Sequence, residues 1–410
     1  MLRRHPASAN SEQDMTITLA DIERARTRIR DQVIETPLLH SASFSRLFGL
    51  DVWLKAEALQ RAGSFKIRGA ANVISQLSGH AVVAASAGNH AQGVALAAAN
   101  AGVPCTLFMP ENAALPKIEA TRDYGAEVRL VGSNLAEAVD AALAHAEASG
   151  DRFIHPYDDP DIVAGQGTLG LELVERLPHL GTVIVPTGGG GLLSGVAVAV
   201  KGLRPDTRVV GVEIDAAPTY VESRKAGRPV SVPPRPTMAD GINVTMPSEL
   251  TFELIERHVD DLVVVTEAQT SSALTLILER SKLMVEPAAA VGIAALAEGL
   301  LPADLPEPVV VVLSGGNIDL LLLGKVVRHG LESSGRYADL RVWVPDQPGQ
   351  LLQILQTIAG EGANVVQVEH HREGFGLPFG MVEITISIET RGPEHTARIR
   401  NALERYAPER

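Results

Sequence analysis

The sequence is poor in cysteine, in long apolar runs and in basic residues. Its one cysteine, Cys105, excludes an internal disulfide framework and any metal site built from a cysteine cluster. The most apolar stretches, such as 309–313 and 320–323, are far shorter than the ~18 residues that a membrane-spanning helix needs. The two early arginines are not followed by the apolar stretch of a secretory signal. We therefore expect a soluble protein of the reducing cytoplasm, with a disordered tail over residues 1–15.

Acidic residues outnumber basic ones, 49 to 36, which gives a formal net charge of −13. Such a surface repels phosphate backbones and anionic lipid, so neither a nucleic acid nor a membrane is expected as a partner. Apolar residues make up 45% and charged residues 21% of the 410 positions, a mixture typical of folded globular domains. At ~150 residues per domain, the length predicts two or three domains.

Between about residues 50 and 330, short apolar runs alternate with stretches long enough for helices. Residues 309–313, VVVVL, are apolar on both faces, as in a strand that is covered on both sides of a parallel sheet. This alternation predicts an open, doubly wound α/β sheet, divided into two subdomains because of its length. The predicted strands are 82–85, 106–109, 128–131, 183–185, 209–212, 262–265 and 309–313, and helical stretches include 90–101, 135–148 and 274–296.

The pattern changes after about residue 330, and we place the larger domain at 16–328, a polar linker at 329–338 and a second domain at 339–410. Residues 381–390, MVEITISIET, alternate strictly between apolar and polar, which predicts a half-exposed antiparallel strand. The remaining predicted elements are strands at 340–344 and 365–369 and helices at 350–358 and 394–406. A small α+β domain of β-α-β-β-α order is therefore expected.

Three apolar strands each run into a loop of small residues that opens a helix: 82–93, 183–195 and 311–319. Glycine lets the backbone approach a ligand, and a helix N-terminus offers unpaired N–H groups to an anion. In an open parallel sheet these loops lie at one edge, where ligands bind. One glycine loop is as often a tight turn as a site, but three together indicate an anionic small molecule.

The four consecutive glycines Gly188, Gly189, Gly190 and Gly191 are the strongest phosphate cradle in the chain. They do not match the GxxxxGK[ST] loop of nucleoside triphosphate enzymes. Residues 165–170, GQGTLG, fit the dinucleotide motif GxGxxG, but they follow HPYDDPDIVA instead of a strand. The dinucleotide interpretation is therefore disfavoured. The metalloprotease motif HExxH and the hydrolase motif GxSxG are absent from the sequence.

Lys66 lies in the segment GSFKIRGA (63–70), between an aromatic and an apolar residue at an expected helix start. A lysine at this place is either a solvated surface residue, as most lysines are, or a desolvated amine that joins a carbonyl cofactor. Beside a phosphate cradle, the second interpretation indicates pyridoxal phosphate (PLP), which carries both an aldehyde and a phosphate.

Six segments together resemble the threonine dehydratases (threonine ammonia-lyases), which are PLP enzymes of fold type II with a tryptophan synthase β-like fold. They are SFKIRGA, SAGNHAQG, GGGGLLSG, ADGINV (239–244), VEPAAA (285–290) and SGGNID. The resemblance covers residues 16–330 almost continuously. The C-terminal domain resembles a ferredoxin-like ACT regulatory domain through DQPGQL (346–351) and its β-α-β-β-α order. The length leaves room for one such module.

The resemblance implies a role for each matching residue. Lys66 binds PLP covalently and removes the Cα proton of the substrate. The Gly188–Gly191 loop and the Leu192 amide bind the phosphate, Asn89 the ring hydroxyl and Ser314 the pyridine nitrogen. Phe65 and Gly241 flank the ring. The backbone N–H groups of Ser86, Ala87, Gly88, Asn89 and His90 hold the substrate carboxylate, and His90 itself is a helix-start residue.

The implied activity is elimination of water from L-threonine, and from L-serine as a second substrate. The products are ammonia with 2-oxobutanoate or pyruvate. A hydroxyl at Ser314 leaves the pyridine nitrogen neutral, which favours prompt β-elimination over transamination. The main alternative is a serine racemase or serine dehydratase. Racemases of this family carry a serine where this chain has Ala87, which has no proton to exchange.

Three further expectations follow from the resemblance. A racemase-type metal site is incomplete, because Glu213 and the Ala217 carbonyl match but Thr219 replaces a carboxylate. Asp346, Pro348 and Gly349 occupy the turn where ACT domains bind an effector, commonly an amino acid. A homotetramer or homodimer is expected. A catalytically silent ligand sensor is an alternative that no residue favours, since Lys66, Asn89 and Ser314 are present.

Overall fold

A computed structural model describes residues 17–233, 235–373 and 376–406, so the predicted tail at 1–15 lies outside the described residues. The chain divides into two compact units. Of the described residues, those up to 270 and those from 277 to 319 form the first unit, and those from 271 to 276 and from 320 onward form the second.

The first unit contains two parallel sheets, which confirms the predicted doubly wound α/β architecture. The larger sheet has the strand order β1-β2-β10-β7-β8-β9, in which only the β1–β2 pair is antiparallel. The smaller sheet has the order β5-β4-β3-β6 and is parallel throughout. The strands are β1 (Leu38–His40), β2 (Val52–Ala56), β3 (Val82–Ala85), β4 (Cys105–Met109), β5 (Glu127–Leu130), β6 (Arg152–Phe153), β7 (Thr182–Pro186), β8 (Arg208–Ile214), β9 (Asp261–Val265) and β10 (Val309–Leu313).

Helices cover these sheets, and the central strands β7 and β10 are buried along their whole length. The helices are α1 (Leu19–Ile29), α2 (Ala42–Phe48), α3 (Lys66–Ile74), α4 (Asn89–Ala101), α5 (Leu115–Asp123), α6 (Leu135–Ser149), α7 (Pro160–Arg176), α8 (Gly191–Leu203), α9 (Thr219–Ala226), α10 (Glu249–His258), α12 (Pro287–Ala297) and α11 (Glu267–Ser281), of which residues 271–276 belong to the second unit. Short 3-10 turns lie at Glu57–Leu59, Arg61–Gly63 and Asp240–Ile242.

The predicted helical stretch 274–296 is in fact two helices. Helix α11 ends at Ser281, because Lys282 adopts a left-handed conformation with φ of 61°. Helix α12 begins only at Pro287, a residue that fits the first turn of a helix but not its interior. The connection between them carries Glu286, whose place in the site is described below.

The GQGTLG segment lies inside helix α7, where its glycines allow close helix packing. A Cβ atom added at Gly165 would lie 2.4 Å from the Arg68 carbonyl oxygen of α3, and one at Gly167 would lie 2.7 Å from the Gly195 carbonyl oxygen of α8. The glycines are therefore needed for backbone contact between helices. This context excludes the dinucleotide loop, as the sequence indicated.

The second unit contains helices α13 (Leu320–Ser333), α14 (Gln350–Gly360) and α15 (Pro393–Leu403) and strands β11 (Tyr337–Pro345), β12 (Asn364–His371) and β13 (Met381–Glu389). The strands form an antiparallel sheet of order β11-β13-β12. Val382, Ile384, Ile386 and Ile388 face the core, as their alternation predicts. The β-α-β-β-α order is confirmed.

The predicted linker over 329–338 overlaps two regular elements. Residues 329–333 belong to helix α13, and strand β11 begins at Tyr337. The polar stretch suits the exposed face of a helix, and only Val326 and Gly330 of α13 are buried.

No helix in the described part of the chain is both long enough and apolar enough to cross a membrane.

Cys105 is buried in strand β4, and burial raises the pKa of its thiol to about 12. It therefore serves as a small apolar core residue.

Candidate active site

Loops from both sheets of the first unit meet at one place. Asn89 begins helix α4 directly after the β3 loop, and Asn317 lies in the loop after β10. The Asn317 side-chain amide donates a hydrogen bond to the Asn89 Oδ1 atom at 2.9 Å. The Asn89 amide in turn donates to the Glu286 carboxylate. The small sheet and the large sheet are therefore joined at the predicted edge.

Lys66 is the first residue of helix α3, and its side chain points into this region. Its Nζ atom donates a hydrogen bond to the Pro156 carbonyl oxygen at 3.1 Å and lies 5.2 Å from the centre of the Phe65 ring. Burial lowers the pKa of the Lys66 amine to about 8, although the charge of Glu286 opposes this shift. About a tenth of the amine is therefore uncharged at pH 7, far more than for a lysine with the ordinary pKa, and a nucleophilic or basic lysine reacts through this form.

The residues beside Lys66 contact the loop after β10. The Phe65 N–H group donates to the Ser314 carbonyl oxygen at 3.1 Å, and Ser64 forms an isolated bridge with Gly315. Ser314 itself is buried. The Ser64 hydroxyl is buried as well and has no hydrogen-bond partner within the part of the chain that the structure describes. A polar group left unpaired at this place fits the presence of a polar ligand.

The tetraglycine loop leaves no space for side chains. A Cβ atom at Gly189 would lie 2.1 Å from the Tyr157 ring, and one at Gly190 would lie 2.2 Å from the Tyr220 hydroxyl. Gly190 also has φ of 82°, a left-handed conformation that favours glycine. It precedes helix α8, whose N-terminus has no side-chain cap. The unpaired N–H groups and the helix dipole suit an anion such as phosphate. Gly188 and Leu192 belong to the same turn.

The predicted carboxylate loop has fewer available donors than the sequence indicated. The Ser86 N–H group donates to the Phe108 carbonyl oxygen, and the Gly88 N–H group donates to the Ser86 hydroxyl, both at 3.1 Å. For Ala87, Asn89 and His90 we find no such partner of the N–H group among residues 17–233, 235–373 and 376–406. These three groups lie at the N-terminus of α4, where an anion is favoured.

Two uncharged imidazoles lie near the Lys66 amine. His90 is the second residue of α4, and its Nε2 atom donates to the Ile154 carbonyl oxygen at 2.9 Å. Burial lowers the pKa of His90 to about 3, and burial also lowers that of His155 to about 4. The His155 Nδ1 atom accepts hydrogen bonds from the N–H groups of Tyr157 and Asp158. Both rings are therefore neutral near pH 7, and neither competes with Lys66 for a proton.

Glu286 is the site residue that the sequence did not single out. Its buried carboxylate accepts hydrogen bonds from Asn89 at 2.7 and 2.9 Å, and burial raises its pKa to about 7. A Cβ atom at Gly315 would lie 2.5 Å from its Oε1 atom, and one at Gly241 would lie 3.5 Å away. Gly241 is thus beside Glu286. The sequence signal that could have identified Glu286 is its position as the one charged residue in the apolar segment VEPAAA.

The Glu213 carboxylate is hydrogen-bonded to residues of helix α9. Its carboxylate accepts hydrogen bonds from the Tyr220 and Val221 N–H groups, both at 2.8 Å, and from the Thr219 hydroxyl at 3.1 Å. It therefore caps helix α9. Ala217 lies in the turn before that helix. Within the described residues no group of three His, Cys, Asp or Glu side chains is arranged to hold a metal ion.

The predicted effector residues lie in the second unit, at the exposed turn between β11 and α14. The Asp346 N–H group donates to the Gly380 carbonyl oxygen at 2.9 Å, and its carboxylate lies 3.6 Å from the Arg372 Nε atom. Gly349 adopts φ of 94° and precedes helix α14, whose N-terminus has no side-chain cap. Pro348 lies between these two residues.

A buried amine, a glycine cradle and two helix N-termini at the edge of parallel sheets define a class of α/β enzymes. These enzymes bind a phosphorylated carbonyl cofactor. The residues fit PLP, since Lys66 provides the amine, the tetraglycine loop the anion site and the unpaired Ser64 hydroxyl a polar contact.

Sequence comparison agrees, because residues 29–315 match the family described as pyridoxal-phosphate dependent enzyme, and residues 338–407 match the ACT domain. The chain belongs to the pyridoxal-phosphate dependent enzyme family and carries a C-terminal ACT domain. Its cofactor is therefore PLP.

Several known proteins resemble nearly the whole chain. The L-threonine ammonia-lyase of Thermotoga maritima is 44% identical over 392 residues, which cover 94% of this chain and 97% of that protein. The L-threonine ammonia-lyase of Geobacter sulfurreducens is 46% identical over 387 residues, which cover 93% and 96%.

Solved structures resemble the catalytic part. The processed form of threonine deaminase isoform 2 from Solanum lycopersicum has a TM-score of 0.74 at 35% identity, and the match covers 78% of this chain and 94% of that one. Maize serine racemase has a TM-score of 0.72 at 35% identity, and the match covers 77% and 98%. These neighbours confirm the fold, but they include both a deaminase and a racemase.

Proposed function

We propose that this protein is a threonine ammonia-lyase, which converts L-threonine into 2-oxobutanoate and ammonia and acts on L-serine as a second substrate. The proposal rests on the Lys66 amine. Burial lowers the pKa of this amine to about 8. It lies beside Phe65, which is hydrogen-bonded to the loop after β10. Two L-threonine ammonia-lyases that match more than nine-tenths of the chain support the same activity.

When bound, PLP supplies an aldehyde that condenses with amines and a ring that withdraws electrons from the substrate Cα. The Gly188–Gly191 loop and the Leu192 N–H group bind its phosphate, because their amides lie at the N-terminus of α8. Phe65 and Gly241 would flank the ring. Ser314 would be the hydrogen-bond partner of the ring nitrogen. Because its hydroxyl is neutral, Ser314 places no fixed charge beside that nitrogen.

Asn89 would hold the ring hydroxyl through its side-chain amide. The Asn89 Oδ1 atom already accepts a hydrogen bond from Asn317, so the side chain presents its NH₂ group to Glu286 and to the ligand. The N–H groups of Ala87, Asn89 and His90 orient the substrate carboxylate. The uncharged Lys66 amine then removes the proton from Cα. General base catalysis of this kind contributes ~10²–10⁴-fold to the rate.

The serine racemase alternative has one observation in its favour, the structural similarity to the maize enzyme. Ala87 argues against it, since its methyl group has no exchangeable proton to deliver to the second face of the substrate. We therefore propose chemistry on one face only, which produces elimination. Detection of D-serine from L-serine by the wild-type protein would support the alternative.

A paired assay tests the proposed activity. We expect the wild-type protein with PLP to form 2-oxobutanoate from threonine and pyruvate from serine. Lys66→Ala is expected to lower both rates by ~10²–10⁴-fold or more and to remove the visible band of lysine-bound PLP. The matched control is Lys201→Ala, whose amine pairs with Asp260 in the first unit and has no place in the site. Retention of the band in Lys66→Ala would overturn the proposal.

We further propose that the ACT domain regulates the enzyme by binding an amino acid or nucleotide at Asp346, Pro348 and Gly349. The uncapped α14 N-terminus at Gly349 supports this, because it suits a carboxylate or phosphate. Isoleucine, valine and AMP are the effectors to test, and a response to isoleucine would connect the enzyme with isoleucine biosynthesis. No response to any of the three would contradict this part of the proposal.

We also propose that the enzyme is a cytoplasmic homotetramer or homodimer. The one cysteine, buried and with a raised thiol pKa, is suited to a reducing compartment. Light scattering coupled to gel filtration measures the subunit number directly. A monomeric mass at assay concentrations would contradict the oligomer.

A further inference from the structure

Four charged side chains are buried together in the first unit, outside the site described above. They are Lys55 of β2, Glu57 of the following turn, Arg68 of α3 and Glu172 of α7, and each exposes less than a tenth of its surface. Their formal charges cancel. We call them the buried charge cluster.

Arg68 is the centre of the buried charge cluster. Its Nε and Nη2 atoms donate to the two Glu57 carboxylate oxygens, both at 2.8 Å. Its Nη1 and Nη2 atoms donate to the two Glu172 oxygens at 2.6 and 3.1 Å, and Nη1 also donates to the Thr168 hydroxyl at 3.1 Å. Lys55 completes the cluster through Glu172 and the Thr36 carbonyl oxygen. Two bidentate pairs fix both the position and the plane of the guanidinium group.

Burial of such ion pairs contributes little to stability compared with apolar residues of the same volume. Charge pairs do, however, impose a direction, because a fork of N–H donors accepts only one arrangement of two carboxylates. The cluster therefore holds elements in a defined relation to each other more than it stabilises the fold.

The elements held by the cluster are those that surround Lys66. Strand β2 pairs with β10 as far as Leu313, the residue before Ser314. The Glu57–Leu59 turn leads through Arg61–Gly63 to the residues before Lys66. Helix α7 begins at Pro160, four residues after Pro156, whose carbonyl oxygen accepts the Lys66 hydrogen bond.

Lys66 and Arg68 belong to the first turn of α3 and are two positions apart, which is ~200° around a helix. Their side chains therefore leave opposite sides of the same turn. That turn has no side-chain cap. The Arg68 carbonyl oxygen packs so closely against Gly165 of α7 that a side chain at position 165 would clash with it. A change at Arg68 is thus transmitted to Lys66 through a few backbone bonds.

We propose that Arg68 is a positioning residue for Lys66: its two carboxylate clamps set the rotation of the first turn of α3 and thereby the place of the Lys66 amine. The inference rests on the proposed role of Lys66. It assigns to the buried charge cluster a part in catalysis although none of its members contacts the reacting atoms.

The test is Arg68→Lys in the PLP-loaded protein, because lysine keeps the charge and loses the fork. We expect kcat for threonine to fall by about 10–100-fold and KM to change by less than about threefold, as for a misplaced catalytic group. The visible circular dichroism of lysine-bound PLP is expected to change in intensity, since it reports how the cofactor is held. The matched control is Arg176→Lys at the end of α7, whose exposed side chain pairs with Glu35 and for which neither quantity should change.

A milder variant keeps the test decisive if Arg68→Lys does not fold. Thr168→Val preserves the side-chain shape and removes one acceptor of Arg68, and we expect a kcat loss of about two- to fivefold with the same change in circular dichroism. A folded variant with lowered thermal stability but wild-type kcat and circular dichroism would overturn the positioning role and leave the proposed function intact. A wild-type protein without any visible band would overturn both.

Discussion

The Asn89 side-chain amide donates to both carboxylate oxygens of Glu286, at 2.7 and 2.9 Å. This contact joins the start of α4 to the start of α12. Helix α4 follows strand β3 of the small sheet, and helix α12 packs on the large sheet. The ionised form of Glu286 accepts hydrogen bonds only, and Asn317 donates to the Asn89 Oδ1 atom, so both neighbours orient the Asn89 amide in the same way. The orientation of the proposed cofactor contact at Asn89 therefore depends on Glu286, for which we propose no contact with the cofactor.

The raised pKa of Glu286 predicts a pH-dependent stability. The pKa lies at about 7 in the folded protein against an ordinary value of 4.5, so the folded state binds this proton more tightly than the unfolded state does. Its stabilising contribution is complete below pH 4.5 and is lost as pH rises through about 7. In Glu286→Gln this loss is absent, so the free energy of unfolding should gain about 3 kcal/mol relative to wild type between these limits.

Urea unfolding of the cofactor-free proteins at several pH values measures this difference. Glu298→Gln, at an exposed position, is the control and should follow the wild-type curve. Parallel curves for wild type and Glu286→Gln would show that Glu286 does not titrate in this range.

The tetraglycine loop predicts a strong effect of a single methyl group. Gly190→Ala places a Cβ atom 2.2 Å from the Tyr220 hydroxyl, at a backbone φ of 82° that alanine rarely adopts. We expect the loop to shift and PLP affinity to fall by about tenfold or more, since phosphate binding depends on the direction of its N–H groups. Fluorescence titration of the apoprotein with PLP measures this affinity. Gly324→Ala, which has open space around it, is the control, and equal affinities would contradict the cradle.

The GQGTLG segment predicts a loss of stability when one of its glycines is replaced. Gly165→Ala places a methyl group 2.4 Å from the Arg68 carbonyl oxygen, so helices α3 and α7 must separate. We expect the free energy of unfolding to fall by about 1–3 kcal/mol or more. Denaturant unfolding checks this value. We expect no NAD binding by the wild-type protein in calorimetry, and a measurable affinity would reopen the dinucleotide interpretation.

Much of this fold was predictable from local sequence. Fully buried strands such as β7 and β10 are continuous apolar runs, and the alternation in β13 determines which face is buried. The three missed strands have weaker signals. Strands β1 and β6 have three and two residues, and β2 contains Lys55, whose charge is compensated only in the folded structure.

The candidate site was predictable where one segment carries the chemistry, as in the tetraglycine loop and Lys66. It was not predictable where distant segments cooperate. Glu286 is 197 positions from Asn89, and Asn317 is 228 positions from it, so no local pattern relates them. The same holds for Ser86, whose N–H group donates a hydrogen bond to the Phe108 carbonyl oxygen of the neighbouring strand. Periodicity reports burial, whereas a hydrogen-bond partner depends on the tertiary fold.

Ala87 predicts a change of reaction outcome in one variant. Ala87→Ser adds a hydroxyl at the start of α4, beside N–H groups that we assign to the substrate carboxylate. A hydroxyl there can deliver a proton to the second face, so D-serine should form from L-serine in addition to pyruvate. Chiral chromatography of the products measures the ratio. If Ala87→Ser forms no D-serine and remains active, the position does not determine the outcome.

The identity of the lysine that joins PLP is the point on which the account depends most. Borohydride reduction of the PLP-loaded protein, followed by proteolysis and mass spectrometry of the peptides, measures it directly. We predict one pyridoxyl group per chain, on Lys66. A pyridoxyl group on another lysine, with Lys66 unmodified, would contradict the account.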